Sequence, residues 1–384
     1  AIISGPLDLK YAIIEKEFSL QDCEFLDDAD FSYSTFKQNL ILTHSTFAKG
    51  ANFQAATMQY DAFLDDVKFL ACQATFRDIH VQGNLFAHRT VFGEGLIANF
   101  NRAHFDKSAC LKDASFEGEA NFTASEIGSN AEFQRAVFKK SVRFEGARIA
   151  GPAFFQKAEF PADYKTSFKG TQFRQGAFFE RATFQDKVDF RTVKFDVVAR
   201  FHQVTFAKEA NFDASRFTGL ANFSKSPEGD LQGAVFFNEA SFEHTHFEHD
   251  VRFTETVFRG KTTFREASFH IIDFSENGQA QGQNQFQGSV NLLGCTYERI
   301  QTHWRSLLTR SDGSSRIDPY DRQPYTQLEN VFRAVGQDHD ADDVYLERRR
   351  VARQRLSKRL RDNATACRSG VTSFPGWVIP FTST

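Results

Sequence analysis

Residues 171–223 read TQFRQGAFFE RATFQDKVDF RTVKFDVVAR FHQVTFAKEA NFDASRFTGL ANF. The rings fall at Phe173, Phe179, Phe184, Phe190, Phe195, Phe201, Phe206, Phe212, Phe217 and Phe223, in steps that alternate between six and five residues. Two residues before each ring stand Thr171, Ala177, Ala182, Val188, Val193, Ala199, Val204, Ala210, Ser215 and Ala221, all small or β-branched. The positions between are mostly polar. This is the alternation of a short extended segment with one face inward, followed by two or three residues of turn. An eleven-residue period would also suit three turns of α-helix. At about 100° per residue, however, steps of five and six scatter the rings to all sides of a helix. Gly and Asn also recur in the pattern, which is poor helix chemistry.

Each half-period therefore reads as one side of a coil, and four sides close a coil of about 22 residues. Stacked about 4.8 Å apart, such coils pair their backbone groups with one another and pile ring upon ring along the axis. The ten phenylalanines named above are the expected core ladder. The same phase runs upstream through Phe31, Phe36, Leu42, Phe47, Phe53, Met58, Leu64 and Phe69, and again from Phe105 to Phe160. Downstream it is expected to continue at Phe237, Phe242, Phe247, Phe253, Phe258, Phe264 and Phe269. Three breaks, at 70–100, 161–165 and 224–233, are expected to leave the coil as loops.

Segments such as Ala51-Asn52-Phe53, Ala120-Asn121-Phe122 and Ala210-Asn211-Phe212 resemble the pentapeptide-repeat family, whose consensus is Ala-(Asp/Asn)-(Leu/Phe)-x-x. The resemblance covers roughly residues 5–297, with one extra residue in alternate units, and looks like a Phe-rich, eleven-residue variant. It implies an all-β solenoid: a right-handed quadrilateral parallel β-helix, here of roughly 12 coils. The extra residues put uniform turn type in question.

Beyond 1–297, the sequence predicts a helical cap and αα-hairpin over 298–363 and an irregular tail over 364–384. The Gly/Gln/Asn-rich stretch Glu276–Gln287 is expected to end the regular coil. A short helix over Glu298–Thr309 would place Ile300, Trp304 and Leu307 on one face. Pro324 opens a helix over Tyr325–Val335 and Gly336 stops it. A second helix runs over about Ala341–Asn363. Expected contacts of the pair are Leu328, Val331, Phe332 and Val335 against Val344, Leu346, Val351, Leu356 and Leu360.

The net charge of −3 hides an asymmetry: residues 344–368 hold nine basic side chains against two acidic ones, leaving the remainder at −10. The basic stretch, Arg348, Arg349, Arg350, Arg353, Arg355, Lys358, Arg359 and Arg361, is the candidate interaction surface. It lacks interleaved aromatics, so base stacking is not supported and nucleic acid is not the expected partner. Cys23, Cys72, Cys110, Cys295 and Cys367 are odd in number and widely spaced, which argues against a disulfide framework or zinc knuckle and fits a reducing cytoplasm. No leader opens the chain and no apolar run approaches the roughly 20 residues of a membrane span.

No phosphate-binding loop, HExxH or GxSxG occurs. The densest titratable cluster is Glu243-His244-Thr245-His246-Phe247-Glu248-His249. Its His244 and His246 point outward on one side, within reach of a shared metal, although two solvated histidines are the expectation. No catalytic residue, cofactor or metal is therefore expected. The leading reading is a non-catalytic interaction or scaffolding solenoid with a protein partner. Alternatives are the soluble part of a membrane-associated sensor meeting an anionic surface, and a DNA-mimic modulator of a topoisomerase. Solenoid ends also permit a homodimer.

Overall fold

In the computed structural model, described over residues 1–70, 74–95, 97–226, 232–274, 285–302, 304–310 and 312–368, the chain winds as a four-sided coil. Glu24–Phe25, Ala29–Asp30, Thr35–Phe36 and Leu40–Ile41 are the four sides of one turn. Thr46–Phe47 then lies on Glu24–Phe25, parallel and 22 residues on. The first side builds a 12-stranded parallel sheet and the second a 13-stranded one. The third and fourth sides merge into one sheet, because Ser268–Asp273 and Thr296–Gln301 run straight across their shared corner. Backbone amides are satisfied from coil to coil, as in Leu42 N–H to the Phe63 carbonyl at 2.9 Å.

The ten-ring ladder is fully inside, every member 0–1% exposed. Rings 22 or so residues apart stack nearly parallel, with centroids from 4.3 Å (Phe25–Phe47) to 5.4 Å (Phe69–Phe92). Rings on adjacent sides meet edge to face, as Phe195 meets Phe201 at 6.0 Å and 81°. Parallel stacking along the axis and perpendicular contact around it together tile the interior. Each ring contributes about 1.5–3 kcal/mol by burial and each ring pair about 0.5–1.5 kcal/mol more. The small inward row, Thr171 through Ala221, is buried as well.

The alternation of five and six residues is a difference in corner chemistry. In the five-residue steps, Phe31 to Phe36 and Leu42 to Phe47, the chain turns through one left-handed residue: Tyr33 (φ 57) and His44 (φ 58). The series continues through Ala55, Asp66, Asp78, Arg89 and Arg102 at eleven-residue intervals, except for one of twelve before Asp78 and one of thirteen before Arg102. The six-residue steps, such as Phe25 to Phe31, have no left-handed residue and turn with the additional residue instead. The Asn or Asp of the Ala-Asn-Phe phrase stabilises a left-handed corner. Its side-chain oxygen accepts the N–H two residues on, as Asp30 does from Ser32 (2.8 Å) and Asn211 from Asp213 (2.8 Å).

Several expectations need correction. Over 70–100 the coil is intact: strands at Ala74–Thr75, His80–Val81, Leu85–Phe86 and Val91–Phe92 hold their places. The phase falters there because Val81 and Ala87 occupy ring slots and because the coils run to 23 and 24 residues (Phe53↔Phe76↔Phe100); residues 71–73 and 96 lie outside the described residues. Of the segment 161–165, Pro161 is buried and 162–165 do protrude as an exposed corner, rejoining at Thr166–Ser167. Of the third break, 227–231 lie outside the described residues, and the ladder resumes at Phe236, not Phe237. Phe236 stacks between Phe206 and Phe258, and Phe237 lies outside under the Arg259 guanidinium at 4.2 Å. The inward small residue is Ala234, which fixes the register one position earlier.

The coil also continues past the Gly/Gln-rich stretch, most of which (275–284) lies outside the described residues. Phe286 stacks on Phe258, and Val290–Asn291 and Thr296–Gln301 add strands. The expected helix over 298–309 is consequently shortened to α1, Trp304–Leu308, because residues 298–301 are still pairing in the sheet. Helices α2 (Gln323–Ala334) and α3 (Asp338–Arg368) form the hairpin, with Gly336 (φ 76) in the turn between them. Leu328, Val331, Phe332, Ala341, Val344 and Val351 are buried. Val335, Leu346, Leu356 and Leu360 are exposed, against expectation: Leu356 and Leu360 lie where α3 outruns α2, Val335 stands at the end of α2, and Leu346 falls off the buried row Ala341, Val344 and Val351. Of the proposed tail, 369–384 lie outside the described residues.

Candidate functional site

Outward side chains of stacked coils form columns. Most columns mix signs, and neighbours pair one coil apart: Lys37–Glu15 at 2.8 Å, Lys49–Asp27 at 2.9 Å and Lys261–Glu239 at 3.0 Å. One left-handed corner reads Asp22, His44, Asp66, Arg89, Asp113, Arg135, alternating acid and base. Arg89 and Arg135 each grip a carboxylate with two nitrogens, holding Asp66 and Asp113 below the usual carboxylate range. Exposed pairs of this kind contribute little stability each, roughly 0–1 kcal/mol, but they leave no continuous field of one sign.

The described surface holds open grooves on the third side. One is lined by Arg216, His246, Glu248, Ser268, His270 and Glu298, and another by His104, Glu126, Arg148 and Arg174. His244 and His246 are not brought together. His244 is a left-handed corner residue beside Glu266 (3.2 Å), whereas His246 stands in the strand with Nδ1 on Ser268 Oγ (2.7 Å). Thr245 and Phe247 do point inward.

Two histidine groupings escaped the sequence reading. His80 and His104 are register partners on the third side, and Asp106 faces both. Each imidazole Nε2 lies 2.9 Å from Asp106 Oδ1. On the fourth side His88, Cys110 and Glu132 also converge, with His88 Nδ1 2.6 Å from Asp65. Burial pushes the Cys110 thiol up to about 12, so it stays protonated at neutral pH. Cys23, Cys110 and Cys295 are all free and buried. The signal that finds these groups is a step of one coil length, and the additional residues between 70 and 100 broke that count.

The basic stretch divides in two. Arg348 is buried, with Glu329 at 3.2 Å and Thr326 Oγ1 at 2.9 Å, and so ties α3 to α2. Arg350 pairs with Glu347 (2.6 Å) and the Gly313 carbonyl (2.7 Å), and Arg355 lies over the Tyr320 ring at 4.5 Å. These three are cap contacts. Arg349, Arg353, Lys358, Arg359 and Arg361 are exposed on the outer part of α3, where Leu346, Leu356 and Leu360 are about 60% exposed.

The architecture defines a parallel β-solenoid with a stacked phenylalanine interior and a helical end. A family model described as "Pentapeptide repeats (9 copies)" matches residues 9–57, 100–148 and 133–183, which is consistent with a pentapeptide-repeat protein. No curated protein and no solved structure matches the chain. Among the described residues no helix is long and apolar enough to cross a membrane.

Proposed function

We propose that this solenoid is a binding protein, not a catalyst, and that it engages a protein partner through an exposed stripe of α3 that runs from Leu346 into its far half. One observation carries the reading. Leu346, Arg349, Arg353, Leu356 and Leu360 follow one another at steps of three and four, so they share one stripe of the helix. Three of the five are leucines about 60% exposed, on a segment in which no residue from 352 to 363 is buried. A helix held by one end and offering leucines between arginines is suited to an apolar surface rimmed with carboxylates.

The test compares the binding partners of the full chain with those of a Leu356→Glu/Leu360→Glu variant. The expected result is one stoichiometric partner recovered by the parent and lost by the variant, with the thermal midpoint unchanged. Identical sets of partners would overturn the reading.

A second reading places the same stripe on an anionic membrane surface, favoured by Arg353, Lys358 and Arg359 flanking the leucines. Sedimentation with anionic vesicles at low salt separates it from the first. A nucleic-acid mimic is disfavoured by the cross-coil pairing of opposite charges, and supercoiling by a topoisomerase is expected to be unaffected by the protein.

A further inference from the structure

We infer that His80, His104 and Asp106 bind a borderline divalent transition-metal ion, of which zinc is the type, and that the ion staples two coils together where the core is thinnest. The third-side column at this height reads His80, His104, Glu126, Arg148, each in register with the next. His104 Nδ1 lies 3.3 Å from Glu126 Oε2, and Glu126 is in turn held by Arg148 at 2.6 Å. When Nδ1–H donates to that carboxylate, the neutral ring turns a lone pair, at Nε2, toward Asp106 Oδ1 only 2.9 Å away. His80 aims its own Nε2 at the same oxygen, also at 2.9 Å. Two imidazole nitrogens and a carboxylate oxygen converging on one point are satisfied either by Nε2–H donation from the rings or by a shared cation.

The donor set discriminates among cations. Two imidazoles and one carboxylate suit zinc and its neighbours and offer too few oxygens for calcium or magnesium. The ligand atoms lie within 4.8 Å of one another, and the side chains, 37–47% exposed, leave an open position for water. Glu126 is placed as the outer carboxylate that fixes the tautomer and aim of a ligating histidine. The backbone beneath is tightly set: a Cβ on Gly128 would come within 2.2 Å of the Asp106 carbonyl. The location gives the ion a purpose. The coil through His80 carries Val81 and Ala87 where other coils carry Phe, Ile, Leu or Met, so the core side chains of its third and fourth sides are the smallest of the described coils.

The test is titration of the metal-free full chain with zinc by calorimetry and with cobalt(II) by visible absorption. Expected are one site per chain, tetrahedral cobalt bands without a thiolate charge-transfer band, and a zinc-dependent rise in the thermal midpoint. His80→Gln and His104→Gln are to abolish binding and the rise while keeping the metal-free midpoint. Glu126→Gln is to weaken affinity by about tenfold to a hundredfold. No saturable binding overturns the proposal in favour of hydrogen bonds from the two imidazoles to Asp106. Binding that survives His104→Gln, or that shows a cobalt–sulfur band and vanishes in His88→Gln, overturns it in favour of the Cys110 group.

Discussion

Glu180 shows what a single outward position costs when the surface closes over it. It follows the core ring Phe179 on the fourth side, in the column of Gln134, Gln156 and His202. Desolvation raises its carboxyl above the usual range, one of its oxygens lacks a hydrogen-bond partner, and Arg200 approaches only to 3.9 Å. The folded state therefore holds this proton more tightly than the unfolded chain does. Its contribution is present at acid pH and is lost as pH rises through the folded pKa. Glu180→Gln is accordingly expected to raise stability at pH 8 and to leave it nearly unchanged at pH 4, as urea denaturation at the two values will read. His202, one coil on, works in the opposite sense. Burial lowers its pKa from 6.5, so the unfolded chain takes the proton first and stability falls as pH drops below about 6.5. Neither burial was readable from residue type, since outward slots in this repeat are polar whether or not a neighbour covers them.

At the scale of elements, the last coil would present a raw sheet edge, and the cap answers it group by group. The Gln323 side chain accepts the Gly294 N–H (3.1 Å) and donates to the Cys295 carbonyl (3.2 Å), and Gln327 donates to the Tyr297 carbonyl (3.3 Å). Arg316, buried beneath the helices, donates to the carbonyls of Phe286 and Gly288; burial lowers its pKa to about 10. Arg316→Ala leaves those carbonyls without this partner and is expected to cost about 2–3 kcal/mol. Hydrogen exchange should show the loss at residues 286–301 and leave the central coils protected. The hairpin was legible from Pro324, Gly336 and the apolar spacing. Its limits were not, because leucines at helical spacing look the same whether a partner helix reaches them or not. Likewise, Arg348 and Arg350 could not be told from Arg353 without knowing which carboxylates lay opposite.

For the whole molecule, the inference from ring spacing to a four-sided coil held because one slot is repeated often enough to outvote its exceptions. The exceptions, Val81, Ala87 and the Phe236–Phe237 pair, are where a small residue or a doubled ring made the spacing ambiguous. The His80–His104 grouping was hidden for the same reason. Phe201 lies between Phe179 (5.2 Å) and Phe223 (4.6 Å) in its stack. In a solenoid each coil answers only to its neighbours. Phe201→Ala should therefore cost about 3–5 kcal/mol, with exchange protection falling in the coils on either side and persisting at the far ends. Uniform loss along the rod would contradict the nearest-neighbour picture.

The left-handed corner returns every eleven residues, whereas a full coil takes twenty-two or slightly more. The rod thus has an approximate half-turn screw symmetry, in which opposite walls are chemical equivalents. Duplicating a single half-coil in the gene would rotate everything downstream by half a revolution and advance it by half a strand spacing. Every ring would still find the interior, yet each surface column would change walls. The hidden core would tolerate such an event while the pattern shown to a partner would be rewritten.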